Sequence, residues 1–209
     1  MYIPEHFRLR HPADAVAFMR ANPFAILISS TESGPFATHL PLFLRAENDK
    51  VVLHGHVSKA NPHWQYLEKQ PECLTIFHGP HSYISPTNYV AEESVPTWNY
   101  AAVHVYGNAR LFSSGEDVNE MLHELIDTFE PAYRPQWEQM SAKFRDNMLR
   151  QIVGFEIAAT KIEGKFKLSQ NRIRQDQANV IASLENSNDS VIAGVARMMK
   201  DQRLGKTNE

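Results

Sequence analysis

The chain has 209 residues, of which 43% are hydrophobic and 22% charged, with a formal net charge of −3. These values are typical of a globular protein with a substantial core, and no global basic excess points to nucleic acid. The single cysteine, Cys73, excludes an intrachain disulfide. No apolar run is long enough to span a bilayer, and the N-terminus lacks signal-peptide features. We therefore expect a cytoplasmic protein with no membrane partner.

The N-terminal third predicts one helix followed by a β-hairpin. Pro12 stands where a helix would start, and Pro23 follows its end. Residues 24–30, which are rich in Ile and Leu, predict a strand, and residues 36–44 predict the return strand. The turn Thr31-Glu32-Ser33-Gly34 joins them.

Two more strands flank a second predicted helix. Residues 50–56 fit a period of two and predict the first of these strands. Ser58 is expected to cap a helix over 59–69, with proline tolerated in its first turn. Residues 73–78 predict the next strand, in which Cys73 packs as a small hydrophobe.

A long connection at 79–97 carries three prolines and has room for a short strand at 82–85. Residues 100–112 then predict a long strand with a bulge or bend at Gly107.

The C-terminal half is mainly helical, with one further strand predicted at 153–162. Ser113 or Ser114 is expected to cap a helix whose apolar residues recur at helical spacing through Phe129. A second helical stripe is predicted from the spacing of Trp137, Met140, Phe144 and Met148. After Asn171 two helical pieces are expected, broken near 186–188, the second capped by Asp189 or Ser190.

Short strands joined by tight turns, with helices between and after them, favour an antiparallel barrel with peripheral helices over a doubly wound parallel sheet. No Gly-rich strand-to-helix loop indicates a dinucleotide fold. The predicted fold class is therefore mainly β with peripheral helices, of the α+β type.

Ser58 and Lys59 form the first candidate site, because an anion is favoured where a strand runs into a helix N-terminus. The hydroxyl and the ammonium would suit a terminal phosphate. The alternative is that Ser58 only caps a helix and Lys59 is a solvated side chain.

Histidines and the basic tail supply weaker alternatives. His54 and His56 share one strand face and His78 precedes His81 by three residues, which leaves a metal site open, although no cysteine pair or HExxH pattern accompanies them. Basic side chains after residue 164 leave contact with DNA phosphates open against a solvated helix face. These are Lys165, Lys167, Arg172, Arg174, Arg197, Lys200, Arg203 and Lys206.

Several segments resemble a known family. The pieces Gly55–Ala60 and Val103–Ala109 are similar to the phosphate element and the long strand of pyridoxamine-phosphate-oxidase-like FMN split barrels. Three others resemble signatures of the PaiB family within that superfamily, and they are Phe36–Pro41, Val95–Tyr100 and Gly164–Arg172. The resemblance covers nearly the whole chain, and its C-terminal motif is the most specific.

This resemblance implies an antiparallel split β-barrel that works as a homodimer, with FMN held between the subunits. It implies an FMN-binding domain over 1–172 and a helical extension over 173–209, packed on the barrel or the dimer. The residues implied to bind the cofactor are Thr38, His39, His56, Ser58, Lys59, Trp98, Asn99, Tyr100, Lys167, Gln170 and Asn171.

The function implied by the resemblance is that of a negative transcriptional regulator that depends on flavin or senses it, with DNA as a further partner. The alternatives are a flavin oxidoreductase that uses a nicotinamide cofactor and a haem-binding split-barrel protein. No residue stands out as a general acid or base, so catalytic residues are not predicted.

Overall fold

The computed structural model describes residues 1–48, 50–112 and 115–205, with side chains through Gln202. Within these ranges seven strands and seven α-helices form, besides three single turns of 3-10 helix. In chain order the elements are α1 (Pro12–Ala21), β1 (Phe24–Thr31), β2 (Gly34–Pro41), β3 (Phe43–Glu47), β4 (Lys50–Ser58), α2 (His63–Lys69), β5 (Glu72–Ile84), β6 (Thr97–Leu111), α3 (Gly115–Phe129), α4 (Arg134–Gln139), α5 (Ala142–Leu149), β7 (Ile152–Lys167), α6 (Arg174–Glu185) and α7 (Ser190–Gly205).

The strands form one antiparallel sheet in the order β2-β1-β5-β6-β7-β4-β3. Its two end strands, β2 and β3, are separated in the chain by Leu42 alone. In a flat sheet, six strand spacings of about 4.8 Å would hold them about 29 Å apart, whereas one intervening residue spans only about 7 Å. The sheet must therefore curl, and β2 contacts β4 accordingly. The predicted fold class, an antiparallel split β-barrel with peripheral helices, is confirmed.

The predicted N-terminal helix and hairpin are confirmed, with Gly34 at a positive φ of 114° in the turn. The single return strand predicted over 36–44 is wrong, since β2 and β3 are separate strands. Leu42 lies between them, is 2% exposed, and donates its backbone N–H to the Pro23 carbonyl oxygen over 2.9 Å. Burial of this one side chain accompanies the change of strand partner that closes the barrel.

β5 is longer than the predicted strand over 73–78 and absorbs the short strand expected near 82–85. The alternation of buried and exposed residues slips between Gly79 and Ser82. As a result His78 and His81, three residues apart, are both exposed.

Gly107 lies in β6 without the predicted bulge, because the alternation of burial continues through it. A Cβ at this position would lie 2.5 Å from the Ala158 carbonyl oxygen. Glycine is required here by the close approach of the neighbouring strand.

The helical stripe predicted from Trp137 to Met148 is divided between α4 and α5. The break is local: the Ser141 hydroxyl accepts the Phe144 backbone N–H over 3.3 Å and starts a new helix. Asp189 caps α7 by accepting the Val191 N–H over 2.8 Å, as predicted. The caps predicted at Ser113 or Ser114 lie outside the described residues.

The chain divides into two compact units. The first comprises Met1–Phe18, His78–Val103 and the residues from Glu163 onward, and the second comprises Met19–Phe77 and His104–Ile162. A core of the first unit packs α6 and α7 with residues of β5, of the segment that follows β5 and of the chain after β7. Its members are Ile84, Tyr89, Leu168, Val180, Ile181, Leu184, Val195, Ala196 and Met199. A core of the second packs Phe43 on Val118 and Met121 of α3. The predicted boundary at residue 172 stays a prediction.

Cys73 is buried, and burial raises the pKa of its thiol to about 12, which agrees with the predicted inert role. Among the described helices, none combines the length and apolar character required to cross a membrane.

Candidate functional site

The turn after β4 carries Ser58 and Lys59, the predicted phosphate residues. The predicted helix over 59–69 is wrong in its start, because α2 begins only at His63. Pro62 precedes it, and the Asn61 side-chain oxygen accepts the His63 N–H over 3.0 Å. Ser58 therefore caps a turn, since its hydroxyl oxygen accepts the Ala60 N–H over 3.3 Å, and it does not mark a helix N-terminus.

The backbone amides of this turn are all engaged. Lys59 N–H donates to the Gln151 carbonyl oxygen over 2.7 Å, and Asn61 N–H donates to the Ser58 carbonyl oxygen over 2.8 Å. Ala60 N–H is held by the Ser58 hydroxyl. An anion at this turn would have to be held by side chains, and the exposed Lys59 ammonium carries the required charge.

Lys59 lines an open depression of about 460 Å³ in the second unit. This volume is within the range of about 300–1,000 Å³ that is usual for small-molecule sites. Arg150 and Asp146 bring further charge to it, and its remaining lining residues are apolar or glycine: Phe112, Gly115, Val118, Leu149 and Ile152.

Thr38 on β2 is tied to the same turn through its hydroxyl. Asn61 donates its side-chain amide to Thr38 Oγ1 over 3.2 Å, and His63 Nδ1 lies 2.7 Å from the same oxygen. His63 Nε2 lies 3.0 Å from Ser29 Oγ. Burial lowers the pKa of His63 to about 4, so the ring is neutral and has one donor and one acceptor nitrogen for these two hydroxyls.

This buried network was not predicted from the sequence. Its signal was Asn61 before Pro62, since asparagine before proline favours turn initiation and moves the helix start forward. The network fixes Thr38 relative to the turn of Ser58 and Lys59.

His39 follows Thr38 and points to the opposite face of the strand. It is exposed, and its ring centroid lies 6.3 Å from that of Phe24. The structure thus brings Thr38, but not His39, to the Asn61–His63 turn.

His54 and His56 lie on β4 with different surroundings. His54 is stacked on Phe43 at 5.0 Å between ring centroids, and burial lowers its pKa to about 4. His56 is half-buried, and burial lowers its pKa. Within the described residues, its buried Nδ1 atom has no hydrogen-bond partner. Across residues 1–48, 50–112 and 115–205, no group of three or more His, Cys, Asp or Glu is arranged to hold a metal ion.

In the first unit, Trp98 is 53% exposed and belongs to an aromatic group on β5 and β6. Its ring lies 6.1 Å from that of Tyr83 and 6.2 Å from that of His81. Tyr100, two residues on, is half-buried and lies 5.3 Å from the Lys165 ammonium in a cation–π contact. Trp98 therefore presents an aromatic surface to solvent, whereas the Tyr100 ring is already in contact with Lys165.

Asn99, between them, is fully buried. Its side-chain N–H donates to Ser169 Oγ over 2.9 Å, and the Met199 sulfur lies 3.6 Å from the same nitrogen. Ser169 has a positive φ of 63°. Asn99 therefore supports the left-handed turn that follows β7, a role that the sequence did not predict.

Three further predicted residues belong to that turn. The Lys167 ammonium donates to the Thr97 hydroxyl, and burial together with Lys165 lowers the Lys167 pKa. The Gln170 side chain accepts the Leu168 N–H over 2.7 Å and donates to the Phe166 carbonyl oxygen, which closes the turn. Asn171 is exposed.

The predicted residues therefore form two sets, one in each unit. The set in the second unit is Thr38, His39, His56, Ser58 and Lys59, and the set in the first is Trp98, Asn99, Tyr100, Lys167, Gln170 and Asn171. Cofactor contacts by either set stay a prediction.

Comparison with solved structures supports the fold. The flavocytochrome Anf3 of Azotobacter vinelandii is 20% identical, with a TM-score of 0.57 over 79% of this chain and 72% of that chain. The FAD and heme binding protein of Mycobacterium smegmatis is 14% identical, with a TM-score of 0.57 over 77% of this chain and 73% of that chain. At these identities the likeness establishes the fold alone.

Sequence comparison goes further. A family model described as "Putative FMN-binding domain" matches residues 1–161. The protease synthase and sporulation protein PAI 2 of Bacillus subtilis is 36% identical over 97% of this chain and 98% of its own length. The protein YKL070W of Saccharomyces cerevisiae is 32% identical over 68% of this chain and 98% of its own length. The chain therefore belongs to the FMN-binding domain family, in the PaiB type that its sequence motifs resemble.

Proposed function

We propose that the protein binds FMN, with the phosphate held by the side chains of Ser58 and Lys59. The observation that carries this proposal is the position of Lys59. Its ammonium lines the depression in the second unit and makes no side-chain hydrogen bond or ion pair within the described part of the chain. Membership of the FMN-binding domain family supports the same ligand.

The donor set fits a phosphate dianion. Lys59 offers a full positive charge and three donors. The Ser58 oxygen accepts the Ala60 N–H, so the hydroxyl hydrogen remains available to donate to a phosphate oxygen. The Lys59 and Asn61 amides are bonded to backbone carbonyl oxygens, so removal of these two side chains would free only one donor of the turn backbone, the Ala60 N–H that Ser58 now holds.

Other predicted residues fit a flavin separately. His56 Nδ1 is a buried nitrogen that can take one more hydrogen bond. In the first unit, the exposed Trp98 ring offers a planar apolar surface of the kind an isoalloxazine ring requires. Asn99 would act by positioning the turn at Ser169, because its amide is already engaged.

The direct test is an FMN titration of wild-type protein, Lys59→Gln and Ser58→Ala. Loss of a charge-assisted hydrogen bond should raise the Kd of Lys59→Gln about 10- to 100-fold. Lys69→Gln is the control, because Lys69 is an exposed lysine at the end of α2. Wild-type affinity in the double variant Ser58→Ala, Lys59→Gln would refute the phosphate assignment.

We also propose that FMN acts as a sensed ligand in a homodimeric negative regulator of transcription. Support comes from the PaiB-type family and from its relative in Bacillus subtilis, which is named as a protease synthase and sporulation protein. When bound, a flavin supplies hydride and electron chemistry, so turnover with NADH or NADPH is the competing activity.

Several basic residues of the C-terminal segment are engaged within the chain. Arg172 lies 4.0 Å from the centre of the Tyr89 ring, and Lys200 is paired with Glu185. Direct contact with DNA would therefore need other basic residues, or would require Arg172 and Lys200 to leave these partners. A gel shift with the gene's own upstream DNA, with and without FMN, tests regulation. Sedimentation at several concentrations tests the dimer, which a stable monomer in the presence of FMN would exclude.

A further inference from the structure

Arg150 lies at the C-terminal end of α5 and lines the same depression as Lys59. We propose that Arg150 is the second cation of the phosphate site and sets the preference for FMN over flavin that lacks the phosphate. This inference rests on the proposed function and assigns a binding role to a residue outside the recognised motifs.

The backbone brings the two cations together. Ser58 pairs with Ile152 in the β4–β7 ladder. Next to this pair, Lys59 directly follows β4 and Gln151 directly precedes β7. The Lys59 N–H donates to the Gln151 carbonyl oxygen over 2.7 Å. Arg150 directly precedes Gln151, so the hydrogen bond that orders the Ser58–Lys59 turn also fixes the origin of the Arg150 side chain.

Among the described residues of the second unit, the side chains of Arg20, Arg145 and Arg150 have no ion pair, and of these three only Arg150 lines the depression. The other arginines of the unit are paired. Arg45 is paired with Glu124, Arg110 with Glu156, and Arg134 with Asp127 and Glu138. Within the described residues, the Arg150 guanidinium has no ion pair or side-chain hydrogen bond. A guanidinium presents two parallel N–H donors to a phosphate, which a lysine ammonium does not.

The depression also contains one opposing charge and an apolar wall. Asp146 lines it, and its backbone carbonyl oxygen accepts the Arg150 N–H over 3.1 Å, but among the described residues no ion pair joins the two side chains. Phe112, Leu149 and Ile152 form an apolar wall of the depression beside the two exposed cations. Lys59 and Arg150 together exceed the single carboxylate by one positive charge.

An arginine in this position also has a structural role, because a cation near a helix C-terminus stabilises the helix. Loss of that structural role in a variant would weaken the binding of FMN and of riboflavin alike. The phosphate role affects FMN and leaves riboflavin, which lacks the phosphate, unchanged. The ratio of the two Kd values therefore separates them.

The experiment measures the Kd of FMN and of riboflavin by flavin fluorescence for wild type, Arg150→Gln, Arg150→Lys and Asp146→Asn. Arg150→Gln should weaken FMN about tenfold or more and leave riboflavin unchanged. Arg150→Lys should recover part of the loss, and Asp146→Asn should tighten FMN. Arg145→Gln is the matched control, since Arg145 is on α5 but does not line the depression.

The outcomes are distinct. Wild-type FMN affinity in Arg150→Gln, or an equal loss for FMN and riboflavin, would overturn the inference and leave the proposed function in place. A wild-type protein that binds neither flavin would overturn the proposed function itself. Thermal unfolding of each variant shows that it remains folded under the titration conditions.

Discussion

His54 provides the most quantitative prediction, because a buried neutral histidine makes stability depend on pH. It is 5% exposed and stacked on Phe43. Its pKa falls from 6.5 to about 4, first through burial and then through the Arg45 guanidinium, with Arg110 acting in the same direction and Glu156 opposing them.

The sign follows from proton uptake by the unfolded chain. Below pH 6.5 the unfolded chain binds a proton at His54, whereas the folded protein does not until about pH 4. Stability is therefore complete above pH 6.5 and is lost as the pH falls toward 4. The limiting slope is about 1.4 kcal/mol per pH unit, and the total is about 3 kcal/mol.

His54→Phe tests this reasoning, because phenylalanine keeps a stacked ring and cannot bind a proton. Urea unfolding at pH 7, 6 and 5 gives the free energy of unfolding for each protein. The wild-type slope should exceed that of His54→Phe by about 1 kcal/mol per pH unit between pH 6 and 5. The pKa of His63 is similarly lowered, and because His63 is present in both proteins its contribution cancels in the difference between the two slopes.

Phe43→Leu is the control, since it disturbs the same stack and keeps the titrating group. It should lower stability at every pH without changing the slope. Equal slopes for wild type and His54→Phe, with the variant folded at pH 7, would refute the neutral assignment. His54→Gln repeats the test without an added aromatic ring.

Three further predictions concern packing and reactivity. Gly107→Ala should lower the free energy of unfolding in urea by about 1–3 kcal/mol, because its Cβ would lie 2.5 Å from a backbone oxygen of the next strand. Gly115→Ala, with nothing within 4 Å, should change it by less than about 0.5 kcal/mol, and equal effects would contradict the packing. Asn99→Ala should cost about 1–3 kcal/mol, since the buried Ser169 hydroxyl loses its partner, and an unchanged Tm would contradict this. The Cys73 thiol should react with a disulfide reagent only after unfolding, and prompt labelling of native protein would contradict its burial.

The sequence predicted the elements whose boundaries are marked by local signals. Pro12 and Pro23 mark the start and end of α1, and Asp189 marks the start of α7. The hairpin follows from Gly34. These residues act through their own backbone preferences, so no knowledge of distant contacts is needed.

The missed features have both distant and local causes. The break at Leu42 reflects the closure of a barrel, in which the Leu42 N–H donates to the Pro23 carbonyl oxygen. The late start of α2 is local, because the His63 N–H donates to the Asn61 side chain two residues away, and the predicted helix after Ser58 overlooked the turn signal of Asn61 before Pro62. Regular alternation likewise does not reveal the close approach at Gly107.

The candidate site was predicted as residues but not as an arrangement. Lys59 was found through a motif, whereas Arg150 lies 91 positions later, directly after α5, in a segment that carries no recognised motif. Only the ladder between β4 and β7 brings them to one depression. Asn99 was singled out as a cofactor contact, which stays a prediction, and the contacts that the structure gives it support a turn.

The absorption spectrum of the purified protein, recorded before and after incubation with FMN and gel filtration, tests the central claim most directly. The account predicts that the visible flavin bands remain with the protein at one FMN per chain, and that riboflavin is retained less well. Protein that stays colourless after incubation with excess FMN, while folded by circular dichroism, would contradict it.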